Sequence, residues 1–237
     1  HTHTHTHTHT PRHTPSGNQY KYAIVTMLHK SCGQGTELFA NADNPDQGRL
    51  LTILVKPVDP KAKAFCATNV YNYTAKEAKS QLRIYRELKR RLTHQDTTQL
   101  RHVLGGDFNA SLTPESRSGS ANSKTEQADA LMSEFVRDQV LANRWWSGRI
   151  REGIWTRRHP SLQQAARIDE ILLLDPQELD DDPDDRRSAG KTYSLRTALT
   201  CNAQLDHRTV MADIPAAIVP RPHHHFTQLR REVPDMA

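Results

Sequence analysis

Residues 101–110 read Arg101-His102-Val103-Leu104-Gly105-Gly106-Asp107-Phe108-Asn109-Ala110. A short apolar stretch runs into paired glycines, and an acid and an amide follow. Glycine permits close approach of one backbone to another. In an extended segment residues i and i+2 face the same way, so Asp107 and Asn109 point into one cleft while Phe108 packs inward. An ordinary Asx turn after a strand uses the same residue types. The stretch alone therefore leaves a catalytic strand end and a plain turn both open.

Upstream, residues 20–30, 50–58 and 65–73 are rich in β-branched and aromatic types and read as strands, with residues 31–49 a loop carrying Gly33, Gly35, Pro45 and Gly48. A helix follows: Thr74 and Glu77 have capping-box spacing, and Leu82, Tyr85, Leu88 and Leu92 repeat at helical intervals. Arg83, Arg86, Lys89, Arg90 and Arg91 lie between them and read as a solvated outer face, with phosphate contact the alternative. Downstream, residues 115–124 are Ser-rich and expected to be mobile. Residues 125–141 form a second helix with Ala128, Leu131, Met132, Phe135 and Val136 on one face, and residues 167–174 are a buried strand. Helices between strands place the chain in the α/β or α+β class.

The composition narrows the partners. The chain has 237 residues, 35% of them hydrophobic, and a net charge of +5. Seven of its 27 acids lie between Asp175 and Asp185, a run read as a solvated loop. The rest of the chain carries 32 bases against 20 acids, a balance that favours a polyanionic partner. The longest run of Leu and Ile, Ile171 to Leu174, is far short of the ~20 residues a membrane helix needs, so no membrane partner is expected. Cys32, Cys66 and Cys201 stand far apart, which fits a reducing compartment. Five of the 14 His alternate with Thr in residues 1–10, a run with no apolar face, so residues 1–19 read as a disordered leader, either a tag or a translated microsatellite. Residues 20–219 read as the domain, and the Pro-rich residues 220–237, with His223 to His225, as a tail. Arg144-Trp145-Trp146 and Trp155 can stack on bases, but core packing is the commoner use.

Two more motifs carry ionisable groups. Arg167-Ile168-Asp169-Glu170-Ile171 sets Asp169 within an apolar strand, where a carboxylate needs a partner. Arg167, two residues away, is the local candidate and a His the functional one. Leu205-Asp206-His207-Arg208 supplies a possible metal ligand and a proton-handling imidazole.

The order is the distinctive feature: a strand ending Asn69-Val70-Tyr71, a helix, Gly106-Asp107-Phe108-Asn109, a second helix, Trp155-Thr156, Arg167-Ile168-Asp169, then Asp206-His207. With Gly48-Arg49-Leu50 opening the second strand, this series resembles the endonuclease/exonuclease/phosphatase superfamily over residues 20–219. The resemblance implies a deoxyribonuclease I-like α/β sandwich of two packed, mainly antiparallel or mixed sheets flanked by helices. It implies that Asp107 positions or activates water, that Asn109 and Tyr71 hold the phosphate, that Asp206 binds metal, that His207 serves phosphate oxygens or a proton, and that Asp169 orients His207. Thr156 and Trp155 match a segment near the substrate. Mg²⁺ or Mn²⁺ is the implied cofactor. DNA, or another phosphodiester or phosphomonoester, is the implied substrate, and the protein is expected to be a monomer. The scattered cysteines leave the compartment unassigned, with an intracellular, and for a DNA substrate nuclear, setting as the expectation.

The match departs from the family at its start. The family's first two strands, with their Asn and a metal-binding Glu, have no counterpart before residue 20, where residues 1–19 contain no acid. Leu205 replaces a usual Ser, and Tyr71-Asn72-Tyr73-Thr74 replaces Tyr-x-Pro-Asn. The sequence therefore supports a Mg²⁺-dependent DNA endonuclease, with a retroelement origin as one source. A phosphatase on a small molecule such as an inositol phosphate is the alternative, as is an inactive, N-terminally truncated remnant that at most binds nucleic acid.

Overall fold

The computed structural model describes residues 4–9, 24–40, 46–113, 116–118, 122–141, 146–147, 155–158, 164–174, 195–198, 207 and 209–212. Residues 115 and 119–121 of the Ser-rich stretch, the acidic run 175–185, Arg144, Trp145, Cys201, Asp206 and the tail 220–237 lie outside these residues.

The strands are β1 (Thr4–His9), β2 (Ile24–His29), β3 (Gln34–Leu38), β4 (Leu50–Lys56), β5 (Phe65–Tyr71), β6 (Arg101–Asp107), β7 (Trp146–Ser147), β8 (Arg157–Arg158), β9 (Ala165–Ala166), β10 (Asp169–Leu174), β11 (Leu195–Ala198) and β12 (Thr209–Ala212). The helices are α1 (Ala78–Leu92) and α2 (Ser123–Leu141). A six-stranded sheet of order β3-β4-β5-β6-β10-β7 organises them. β5 and β6 are parallel, and α1 makes the crossover such a pair requires. The other pairings in this sheet are antiparallel.

Strand alternation divides the apolar residues between two faces. Leu50, Val70, Leu104, Leu172 and Leu174 pack against Ile84, Tyr85, Leu88 and Leu92 of α1 and Ala128, Met132 and Phe135 of α2. Leu51, Ile53 and Val55 take the opposite face and pack with Ile24 and Leu28 of β2. The sheet is thus covered by helices on one side and by the β1–β2 ribbon on the other, an α/β sandwich. Phe108 is fully buried in the helix-side core, the inward packing expected from its place between Asp107 and Asn109.

Four local expectations are corrected. Residues 31–49 were read as loop, yet they contain β3, an edge strand whose Gln-Gly-Thr-Glu-Leu sequence has too few apolar residues to show alternation. Residues 1–19 were set aside as a disordered leader, yet Thr4–His9 pairs antiparallel with β2. The period of two in that run matches a strand, and Thr favours extended backbone. The capping box does not form: a 3-10 turn, Ala75–Glu77, precedes α1, and the Thr74 hydroxyl meets the Glu77 carboxylate at 3.4 Å rather than a backbone N–H. On α1, Arg91 leaves the solvated face. It is 3% exposed, bonded to Glu87 and Thr52.

Candidate active site

Three strands end together at one edge of the main sheet. Tyr71 of β5 is in register with Asp107 of β6, and Asp107 with Asp169 of β10. Residues directly opposite in adjacent strands share a face, so the register alone lines up a phenol and two carboxylates.

Asp107 is held by the residue two positions on. Its Oδ1 accepts the backbone N–H of Asn109 at 2.7 Å, and its Oδ2 accepts Asn109 Nδ2 at 3.1 Å. Asn109 sits at φ 50°, in the left-handed region that Asn tolerates better than most residues. Burial, and next the charge of Asp169, push the Asp107 carboxyl up to about 6, while the Asn109 N–H, His207 and Arg157 oppose the rise.

Asp169 finds its partner 38 residues away. His207 Nδ1 lies 3.0 Å from Asp169 Oδ2 and 3.3 Å from Oδ1. A carboxylate only accepts, so Nδ1 carries the proton in this pairing. Arg167, the local candidate, pairs instead with Glu170, on the opposite face from Asp169, and burial raises the Glu170 carboxyl to about 7. Asp107, Asp169 and His207 each present a ligand atom within 4.8 Å of the others.

Thr156 and Trp155 are expected from the resemblance to lie near the substrate. Thr156 is 1% exposed. Its hydroxyl accepts the backbone N–H groups of Ile168 and Asp169, both at 3.0 Å, which pins the start of β10. It is placed to support Asp169. Trp155 beside it is half-buried.

Arg49 and Asn72 were not singled out as functional. Arg49 is 8% exposed, donates to the carbonyls of Tyr71 and Asn72 at 3.2 Å each, and stacks 3.7 Å from the Tyr73 ring centroid. The Asn72 carbonyl also accepts Asn109 Nδ2 at 3.0 Å, and the Asn72 N–H donates to the Asp107 carbonyl at 2.8 Å. Arg49 thereby braces the turn on which Asn109 rests. The Gly48-Arg49-Leu50 signal was visible in the sequence, but its use was not. Arg157, also unforeseen, bridges by backbone to His207.

The architecture is the deoxyribonuclease I-like fold. Similar solved structures include an AP endonuclease from Archaeoglobus fulgidus, at 15% identity and TM-score 0.56 over 83% of this chain and 76% of that one. The endonuclease domain of TRAS1, a telomere-specific non-LTR retrotransposon, matches at 12% identity and TM-score 0.51 over 88% and 80%. The 3' phosphatase NExo from Neisseria, bound to product DNA hairpin, matches at 16% identity and TM-score 0.50 over 90% and 79%. No family model and no curated protein matches the sequence. No helix among the described residues is long and apolar enough to cross a membrane.

Proposed function

We propose that the protein is a metal-assisted phosphodiester hydrolase that acts on DNA as an endonuclease. The observation that carries this reading is the convergence of Asp107, Asp169 and His207, with Asn109 bonded to Asp107, at one end of the sheet. The residues fit a divalent cation. Two carboxylates face each other in register, and the Asp107 carboxyl is raised first by burial and next by the charge of Asp169, a repulsion a cation would relieve. Asp206, beside His207 in sequence, would hold the ion, with the field of the carboxylate pair adding to its affinity. When bound, such an ion neutralises charge on the phosphate oxygens and the leaving oxygen.

The chain's own groups then divide the work. Asp107 orients the attacking water and takes its proton, a task suited to a carboxyl shifted toward neutrality. Asn109 and Tyr71 position the phosphate. His207, held in one tautomer by Asp169, directs its other nitrogen to the phosphate oxygens or the leaving group. Water attacks phosphorus in line and gives its proton to Asp107; the P–O bond to the leaving group breaks, and that oxygen takes a proton from a protonated His207 Nε2 or from solvent water.

Nicking of supercoiled plasmid tests the proposal. Activity with Mg²⁺, lost in EDTA and in Asp107→Ala and His207→Ala, is expected. DNA binding without cleavage would leave only the nucleic-acid-binding remnant. Likeness to a 3' phosphatase supports a second reading, phosphomonoester hydrolysis. Phosphate release from a 3'-phosphorylated oligonucleotide without plasmid nicking would favour it.

A further inference from the structure

A separate cavity of about 260 Å³ opens beside Asn109. Its walls come from the turn ahead of α1, from Arg117 and the first turn of α2, and from Arg157 on β8. Lys76, Arg117, Lys124 and Arg157 line it, and among the described residues no acid does. Arg117 is neutralised by Asp129 through two hydrogen bonds of 2.7 Å. Lys76 and Lys124 are exposed. Their flexible stems let each ammonium reach an anion in the cavity. Ala75, Ala166 and Ile168 supply an apolar wall, which suits the carbon skeleton of a sugar. Asn109 belongs to both places: it lines this cavity and is bonded to Asp107. An anion held here therefore sits one residue from the reacting centre.

We propose that this cavity is a subsite for a second phosphate of the substrate, the one next to the phosphate being hydrolysed, held by Lys76, Lys124 and Arg157. The proposal rests on the phosphodiesterase reading and sharpens it: the preferred substrate carries at least two phosphates, as a polynucleotide does. An isolated diester can use the Asp107 centre but leaves this cavity empty.

The test uses the Lys76→Ala/Lys124→Ala double variant of the full chain. The ratio of kcat/KM for DNA to kcat/KM for bis(p-nitrophenyl) phosphate is expected to fall about tenfold, as for the loss of two phosphate contacts. Equal losses on both substrates, or none on DNA, overturn the proposal. If the wild type cleaves no phosphodiester, the functional reading fails separately, and binding decides the cavity. Anisotropy of a fluorescein-labelled DNA in EDTA, followed against salt, is expected to show a log–log slope shallower by roughly 1–2 in the variant. An unchanged slope overturns the proposal. Inositol trisphosphate distinguishes the sources. A variant that loses trisphosphate binding but keeps the DNA slope overturns the proposed polynucleotide subsite and assigns the cavity to a small polyphosphate instead.

Discussion

His207 Nδ1 lies 3.0 Å from the Asp169 carboxylate, across 38 residues of sequence. The pair does for the imidazole what its own strand cannot: it selects the tautomer and holds the ring over the strand end that carries Asp107. Asp169→Asn keeps the shape but offers an amide in place of the acceptor. Its kcat on DNA is expected to fall by about 10²–10⁴-fold with the circular dichroism spectrum unchanged. A variant within threefold of wild type would mean that His207 needs no such partner.

Asp107 sets stability against function. Its folded-state carboxyl is raised to about 6 from an ordinary 3.8. Between those values the folded state keeps a proton that the unfolded chain has lost, so stability falls as pH rises through that window and stays lowered above it. Asp107→Asn removes the ionisation. It is expected to be more stable than the metal-free wild type at neutral pH by on the order of 2 kcal/mol, or roughly 4–8 °C in Tm. Its melting should be flatter with pH across that window, and it should not cleave DNA. Thermal melts in EDTA at several pH values check both signs.

Gly105 and Gly106 look equivalent in sequence but are not. Gly106 is at φ 140°, and a Cβ there would lie 2.0 Å from the Val70 carbonyl oxygen. At Gly105 the nearest atom to such a Cβ is Ile171 Cγ1 at 3.8 Å, ordinary contact. Gly106→Ala is expected to destabilise by more than about 3 kcal/mol, or to prevent folding. Gly105→Ala should stay within about 1 kcal/mol. Urea unfolding of the two variants makes the comparison.

Arg49 braces the Asn72 carbonyl that Asn109 also holds. Arg49→Lys keeps the charge but loses the flat guanidinium stack on Tyr73 and the planar Nη1 that donates to both carbonyls. Because it acts through Asn109, it is expected to lower kcat about tenfold, with KM changed less. A change confined to KM would place Arg49 at the substrate instead.

Cys32 is exposed, whereas Cys66 is fully buried with its thiol pushed up to about 11 by burial. In a Cys201→Ser background, iodoacetamide at neutral pH should label Cys32 and spare Cys66 until denaturant is added. Mass spectrometry of the labelled peptides reads the outcome.

Much of this protein was legible in its residues. The β-branched and aromatic content of residues 50–58 and 65–73 and the helical spacing of Leu82, Tyr85, Leu88 and Leu92 point to the strands and the helix that form, although Ile84 rather than Leu82 joins the core. The order of the Asp107, Asp169 and His207 motifs marked the groups that converge. The resemblance named His207 as the partner of Asp169, but local spacing alone did not choose it. Arg167 was the near candidate for Asp169, yet Arg167 turned to Glu170 and His207 took the place. Thr156, matched to a substrate segment, is spent on two backbone N–H groups, and Arg49 reaches Asn72 across 23 residues. Such pairings depend on strand register, where a slip of one residue would turn every side chain to the other face. Local sequence determines which faces are apolar. Only the packed sheet decides which distant polar groups those faces bring within hydrogen-bonding reach.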